Sequence, residues 1–340
     1  MSCINASNCT LDAADAADAA SYAPVRVWAS AAACLILFIF NLLISWTIVR
    51  EPRLRGHARF ALVVHLLVSA CAYFALGFAF HLQAYSGAGL SPASCAALVM
   101  ALTTSACSIL LTITAMALDR YVAICFPLRY GGGGCRGAWP WLLGVLTWGL
   151  GAVVPLSLYG DVYRRASENG RCDRGALKGG EVHKVLLISA CTLLILYSYA
   201  RILCEGRRLG VLNRRNRAGC RTIALHGAQL AVYILPNFVN FALHVLLKCG
   251  LLSSAAKERA AVIVFVFFSL AQCIAPVVYG LRKEELLEQL GQRFPRLSGR
   301  LKTLLEWTVG LVRPHARTQQ RQRRLTSETL LSRETSQTSV

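Results

Sequence analysis

The chain has 340 residues, 55% of them hydrophobic and only 16% charged, with a mean hydropathy of +0.49. That balance excludes an ordinary soluble domain, whose surface needs more charge, and predicts a membrane class. A formal net charge of +19 would suggest nucleic acid in a soluble protein. In a membrane chain the placement of the charges carries the meaning, so no nucleic-acid partner is expected.

Residues 1–24 form an acidic tail (Asp12, Asp15, Asp18) with glycosylation sequons at Asn5 and Asn8 and no basic n-region of a cleavable signal. The tail is expected to be extracellular, with the first span acting as an uncleaved signal anchor. Seven apolar runs come next, at about 25–49, 58–84, 94–118, 139–159, 183–204, 222–247 and 260–281. Each is close to the ~20 residues a helix needs to cross a ~30 Å hydrocarbon core. Most contain a proline, histidine or asparagine, which a lone lipid-facing helix tolerates badly and a bundle can satisfy. The expected fold is an all-α membrane protein, a seven-transmembrane helix bundle over 25–281.

With the N-terminus outside, most of the 36 Lys and Arg fall on the inner side, notably Arg50, Arg53, Arg55 and Arg59, and then Arg207, Arg208, Arg214, Arg215, Arg217 and Arg221. This is the positive-inside pattern and predicts a multi-pass plasma-membrane protein. The second outer loop departs from it, with Arg164, Arg165, Arg171, Arg174, Lys178 and Lys184, and is read as a solvated loop surface. Cys3, Cys9, Cys95, Cys172 and Cys249 would face the oxidising side. Spacing leaves the pairing of Cys3, Cys9 and Cys249 open.

Enzyme chemistry finds no support in the sequence. There is no glycine-rich phosphate loop after a strand and no metal-spaced His/Cys cluster, and Gly131 to Gly134 read as a flexible inner loop. No cofactor and no metal are expected. A transporter would show paired mid-membrane charges, broken helices and internal repeats, and it stands as the less favoured alternative.

At the end of the third run, MALDRYVAICFPLRY (116–130) places Asp119 and Arg120 where hydrocarbon meets water. A charge pair is costly to bury there and points to function. Together with LYSYARI (196–202), RTIALHGAQL (221–230) and APVVYGLRKEEL (275–286), this stretch resembles the rhodopsin-like (class A) G-protein-coupled receptors. The likeness is most specific to the olfactory type, near the fish odorant-receptor-like group, and covers about 25–290.

The resemblance implies a receptor that binds an odorant-like small molecule within the bundle and activates a heterotrimeric G protein; the alternative is an orphan receptor for a peptide or lipid. It implies a Cys95–Cys172 disulfide, a coupling switch of Asp119, Arg120, Tyr121, Tyr199 and Tyr279, and hinges at Pro236 and Pro276. Asn41 is an inward marker expected to bond the backbone of the second or seventh helix. Tyr233-Ile234-Leu235 before Pro236 lacks the toggle tryptophan of many rhodopsin-like receptors. Ala70 stands where an aspartate is usual, and Ala275 replaces the asparagine of Asn-Pro-x-x-Tyr. Hard cations want oxygen ligands, so no sodium site is expected, and either constitutive activity or poor coupling should result.

A ligand pocket is expected between the third, fifth, sixth and seventh helices, on the outer half. Inward projection by helical spacing nominates Thr103, Thr104, Cys107, Asn237, Phe241, His244, Phe265, Phe268 and Gln272. Such a mixture suits a small, largely apolar molecule making one or two hydrogen bonds, and the lack of an acid in the outer third helix argues against an aminergic ligand. Residues 282–312 carry amphipathic stretches, the first similar to the family's short eighth helix lying on inner-leaflet lipid. The tail 313–340 is expected to be disordered, with a Ser/Thr cluster for a receptor kinase and arrestin and a PDZ-scaffold terminus at Val340.

Overall fold

The fold is described from a computed structural model. The structure describes residues 21–87, 89–126, 139–169, 172, 181–208, 227, 231, 234–236, 238–243, 245–247, 249–279, 289 and 292. The regular elements among them are all helices: α1 (Ala23–Arg50), the one-turn α2 (Pro52–Arg55), α3 (Ala58–Ser86), α4 (Pro92–Cys125), α5 (Trp139–Ser157), α6 (Tyr159–Asn169), α7 (Glu181–Arg208) and α8 (Ser254–Tyr279). Helical residues of the sixth predicted span are Gly227, Ala231 and residues within Ile234–Leu247. By length and apolarity α1, α3, α4 and α7 each suffice to cross a membrane, and α5 with α6 makes a fifth candidate bent by 48°.

Local chemistry sets the ends. Pro92 opens α4 behind Ser91, whose Oγ accepts the Ser94 N–H at 3.2 Å; a preset φ and a satisfied end donor favour initiation there. Gly87, at φ 67°, closes α3 in the left-handed conformation that glycine adopts without a Cβ penalty. Because α4 has 34 residues, it is about 50 Å long at 1.5 Å per residue and overhangs a ~30 Å core at both faces. That length puts Cys95 at one surface and Arg120 at the other.

α4 is the centre of the packing and lies against α3, α5, α6 and α7, while α1 lies against α3 and α8. Lipid tails give helices no hydrophobic reason to associate, so close backbone approach and hydroxyl bonds do this work. The fully buried Ser69 and Ser108 hydroxyls join α3 to α4 at 3.0 Å, and Thr112 and Thr147 join α4 to α5 at 3.2 Å. At Gly151 a Cβ would sit 3.1 Å from the Ser108 nitrogen and 3.2 Å from the Thr104 carbonyl oxygen, so α5 rests directly on the α4 backbone. On the far side of α1, Leu35, Phe38, Leu42 and Trp46 are exposed at spacings of three and four. In a membrane that stripe is the lipid-facing surface.

His65 of α3 lies against Trp141 of α5 with ring centroids 5.7 Å apart, and Gly144 makes the room: a Cβ there would fall inside the imidazole. Gly144→Ala is therefore expected to destabilise the folded protein by about 1–3 kcal/mol through overpacking, read as a lower unfolding temperature in detergent. His65→Ala should restore tolerance to the added methyl. Equal losses from Gly144→Ala with and without His65 would refute the collision.

Two expectations change. The fourth predicted run, 139–159, stops as a helix at Ser157, and the chain turns at Leu158, whose N–H bonds the Pro155 carbonyl at 3.0 Å. The second outer loop then begins as the helix α6 rather than as a solvated loop. Val162 and Ala166 of α6, one turn apart, are buried with Phe80, Cys95, Ala96, Val99 and Cys172, while the Arg164 side chain is 69% exposed. The amphipathic pattern was present, and charge counting alone hid it. Asn41 finds a side-chain partner, accepting from Ser45 Oγ one turn on at 2.6 Å, and it neighbours Cys71 of α3. The amphipathic stretches of 282–312, the tail 313–340, Asn5 and Asn8 lie outside the described residues.

Candidate functional site

At one end of the bundle Cys95, in the first turn of α4, is disulfide-bonded to Cys172 with their Cα atoms 5.5 Å apart. Both are buried, with Val162 and Ala166 of α6 packed beside them. The second outer loop is thereby tied to the central helix at the point where α6 already covers it. A second outer link escaped sequence reading. Arg26, in the first turn of α1, meets Glu258, in α8, at 2.9 Å, with side chains only 4% and 15% exposed. Its signal was a lone arginine opening an apolar run, matched by the acid of Lys257-Glu258-Arg259.

At the inner end of α4, Asp119 Oδ2 and the Arg120 guanidinium are 3.2 Å apart, with side chains 9% and 29% exposed. Tyr121 turns toward α7, where Tyr197 and Arg201 are its electrostatic neighbours. Its ring lies 6.0 Å from that of Tyr197 and 5.7 Å from that of Phe126. Cys125 adds a thiol contact of 4.0 Å to the Arg201 carbonyl oxygen. Tyr197 and Arg201 are spaced i, i+4 on one face of α7, and neither stood out in the sequence. Tyr199 is half-buried, and its ring lies against Gly227 in the sixth span, in the space a Cβ there would take. α8 runs through Pro276 to Tyr279, with the side chains of 274–279 outside the described residues; Pro236 is helical and half-buried.

The described residues among those nominated for a ligand lie on α4, the sixth span and α8. Thr103 and Thr104 are half-buried, Cys107 is buried, and Thr103 Oγ1 bonds the Val99 carbonyl one turn back at 2.8 Å. Phe265 and Phe268 of α8 face α3: Phe268 stacks on Phe74 at 6.1 Å and meets Tyr73 edge-on at 6.1 Å. Phe265 meets His81 at 5.6 Å. They build an aromatic seam between the second and seventh helices, worth more than its area alone because ring edges meet ring faces. Gln272, 1% exposed, has a buried Nε2 that meets no hydrogen-bond partner among the described residues. Phe241 is 47% exposed, and Asn237 and the His244 side chain lie outside the described residues. Among those residues, no group of three His, Cys, Asp or Glu could hold a metal.

Residues 40–279 match the family described as 7 transmembrane receptor (rhodopsin family). The chain is 26% identical over 193 residues to Odorant receptor 131-2 of Danio rerio, covering 53% of this chain and 58% of that protein. It is 25% identical over 210 residues to Probable G-protein coupled receptor 148 of Homo sapiens, covering 57% and 60%. The chain thus spans less than two thirds of the length of these curated relatives. The family is one of multi-pass membrane receptors and not of enzymes. With helices packed around a central α4, an outer disulfide from its first turn and an Asp-Arg-Tyr at its inner end, the chain belongs to the rhodopsin family of seven-transmembrane receptors.

Proposed function

We propose that this chain is an odorant-like receptor of the plasma membrane, with its N-terminus outside, that couples a small molecule in the bundle to a heterotrimeric G protein. The observation that carries the reading is the Asp119–Arg120 pair at the inner end of α4. Arginine is a permanently charged fork of donors; held by its neighbouring acid it is occupied, and released it can meet the carbonyls of an inserted G-protein tail. The switch is then a two-state movement biased by the ligand on one side and the G protein on the other, with Tyr121, Tyr199 and Tyr279 as its partners and Pro236 and Pro276 as hinges.

Among the pocket nominees, Thr103, Thr104, Cys107 and Gln272 support the reading best. The unmatched amide of Gln272 would be satisfied by an acceptor oxygen on the ligand, and an unmade buried hydrogen bond is costly. That favours an apolar molecule bearing a carbonyl, ether or hydroxyl. The similarity to a zebrafish odorant receptor agrees. Asn5 and Asn8 as glycan sites, 282–312 on inner-leaflet lipid, and 313–340 as a substrate for receptor kinase, arrestin and a PDZ scaffold at Val340 complete the proposal.

The test is expression with a promiscuous G protein, with basal and odorant-evoked second messenger recorded. Arg120→Ala should abolish the signal while leaving surface expression in place. A signal untouched by Arg120→Ala would sink the coupling reading.

A further inference from the structure

Toward its Arg208 end, α7 carries an exposed stripe that changes from apolar to cationic. Leu193, Tyr197 and Arg201 follow one another at i, i+4 on one face, with Leu196 beside them, and all four are exposed. α7 has 28 residues, about 42 Å at 1.5 Å per residue, so its last turns pass beyond a ~30 Å hydrocarbon core. Arg201, two turns before the end of the helix, therefore stands at the edge of the headgroup layer. Leu193, about 12 Å further back along the axis, faces acyl chains.

Two helices frame the arginine. Tyr121 of α4 and Tyr197 are its electrostatic neighbours, with their rings 6.0 Å apart. Cys125 Sγ lies 4.0 Å from the Arg201 carbonyl oxygen, which holds the end of α4 against this turn of α7. Among the described residues no carboxylate is within ion-pair reach of the Arg201 guanidinium. Glu205, one turn on, lies 4.0 Å from Arg208 instead. A long cationic side chain at the edge of hydrocarbon reaches out toward the headgroups, and its planar fork suits phosphate oxygens. Tyrosine phenols belong at the same level and add donors beside it.

We propose that Arg201, framed by Tyr121 and Tyr197, holds the phosphate of an anionic phospholipid whose acyl chain runs along Leu193 and Leu196. The apolar continuation of the stripe favours a lipid over an acidic protein segment, which would meet the arginine but has no use for exposed leucines. The cytoplasmic leaflet is the anionic one, and with the N-terminus outside, as proposed above, this end of the bundle faces it.

The test uses the full-length receptor in phosphatidylcholine nanodiscs doped with phosphatidylserine that bears a photoactivatable acyl chain. The probe occupies both leaflets, so the result does not depend on which way the chain threads the membrane. After illumination, label should concentrate in residues 193–201 of α7 and 121–126 of α4. Excess plain phosphatidylserine should reduce that label severalfold, whereas excess phosphatidylcholine or soluble glycerophosphoserine should not. Arg201→Ala should cut it severalfold and Arg201→Lys should keep part of it, while Arg164→Ala, at the other end of the bundle, should change nothing. Label spread evenly over the lipid-facing helices, or displaced as readily by phosphatidylcholine, would overturn the seat. So would full labelling in Arg201→Ala or an equal loss in Arg164→Ala. Displacement by glycerophosphoserine or by an acidic peptide would show an anion site that is not a lipid site. Should Arg201→Ala fail to fold, the labelling and competition pattern of the parent receptor decides by itself.

Discussion

Replacing Cys95 or Cys172 with serine is expected to remove the receptor from the cell surface. The disulfide joins residues 77 positions apart, and a cross-link closing a loop of that length contributes about 4 kcal/mol by restricting the unfolded chain. The loss extends beyond chain entropy. Val162, Ala166, Phe80 and Val99 share one buried cluster with both cysteines, so freeing Cys172 also loosens the packing of α6 on α4. Surface labelling and thermal unfolding in detergent measure the effect, and the double serine variant should be no worse than either single one. A single variant that keeps full surface expression and stability would show that α6 holds the loop by itself.

Breaking the Arg26–Glu258 pair should also be costly. The two ends are largely buried, and removing one partner takes a charge-assisted bond from a group held away from water, a loss of about 1.5–3 kcal/mol. Arg26→Ala and Glu258→Ala should each lower the unfolding temperature clearly, while Arg26→Met with Glu258→Leu should recover much of the loss. The recovery is the informative part, because a buried ion pair often contributes little more than a well-packed apolar pair. Single variants as stable as the parent would mean that water reaches the pair and screens it.

The helical membrane class could be read from apolar runs alone, since the length needed to cross hydrocarbon is set by the 1.5 Å rise. Asp119-Arg120-Tyr121 and the outer cysteines were equally visible, because their meaning lies in short strings of residues and their place in the topology. What those residues touch could not be read. Tyr121 and Arg201 are eighty positions apart in sequence and become neighbours only through the relative register of α4 and α7. The same limit applied to Phe265 and Phe268. Helical spacing nominated them as inward-facing, but that Phe268 meets Phe74 and Tyr73 depended on how closely α3 approaches.

Glycines show the division most clearly. In the string RTIALHGAQL, Gly227 carries no pattern, and Gly144 reads as filler in an apolar run. Their roles come from the side chain of another helix entering the space where a Cβ would stand. The sequence by itself determined the membrane class and the charged triplet, because hydrophobic length and short strings of residues are properties of segments. The tertiary structure alone decided the Arg26–Glu258 link, the aromatic seam and the Tyr199–Gly227 contact, because each exists only where two distant segments come within van der Waals reach.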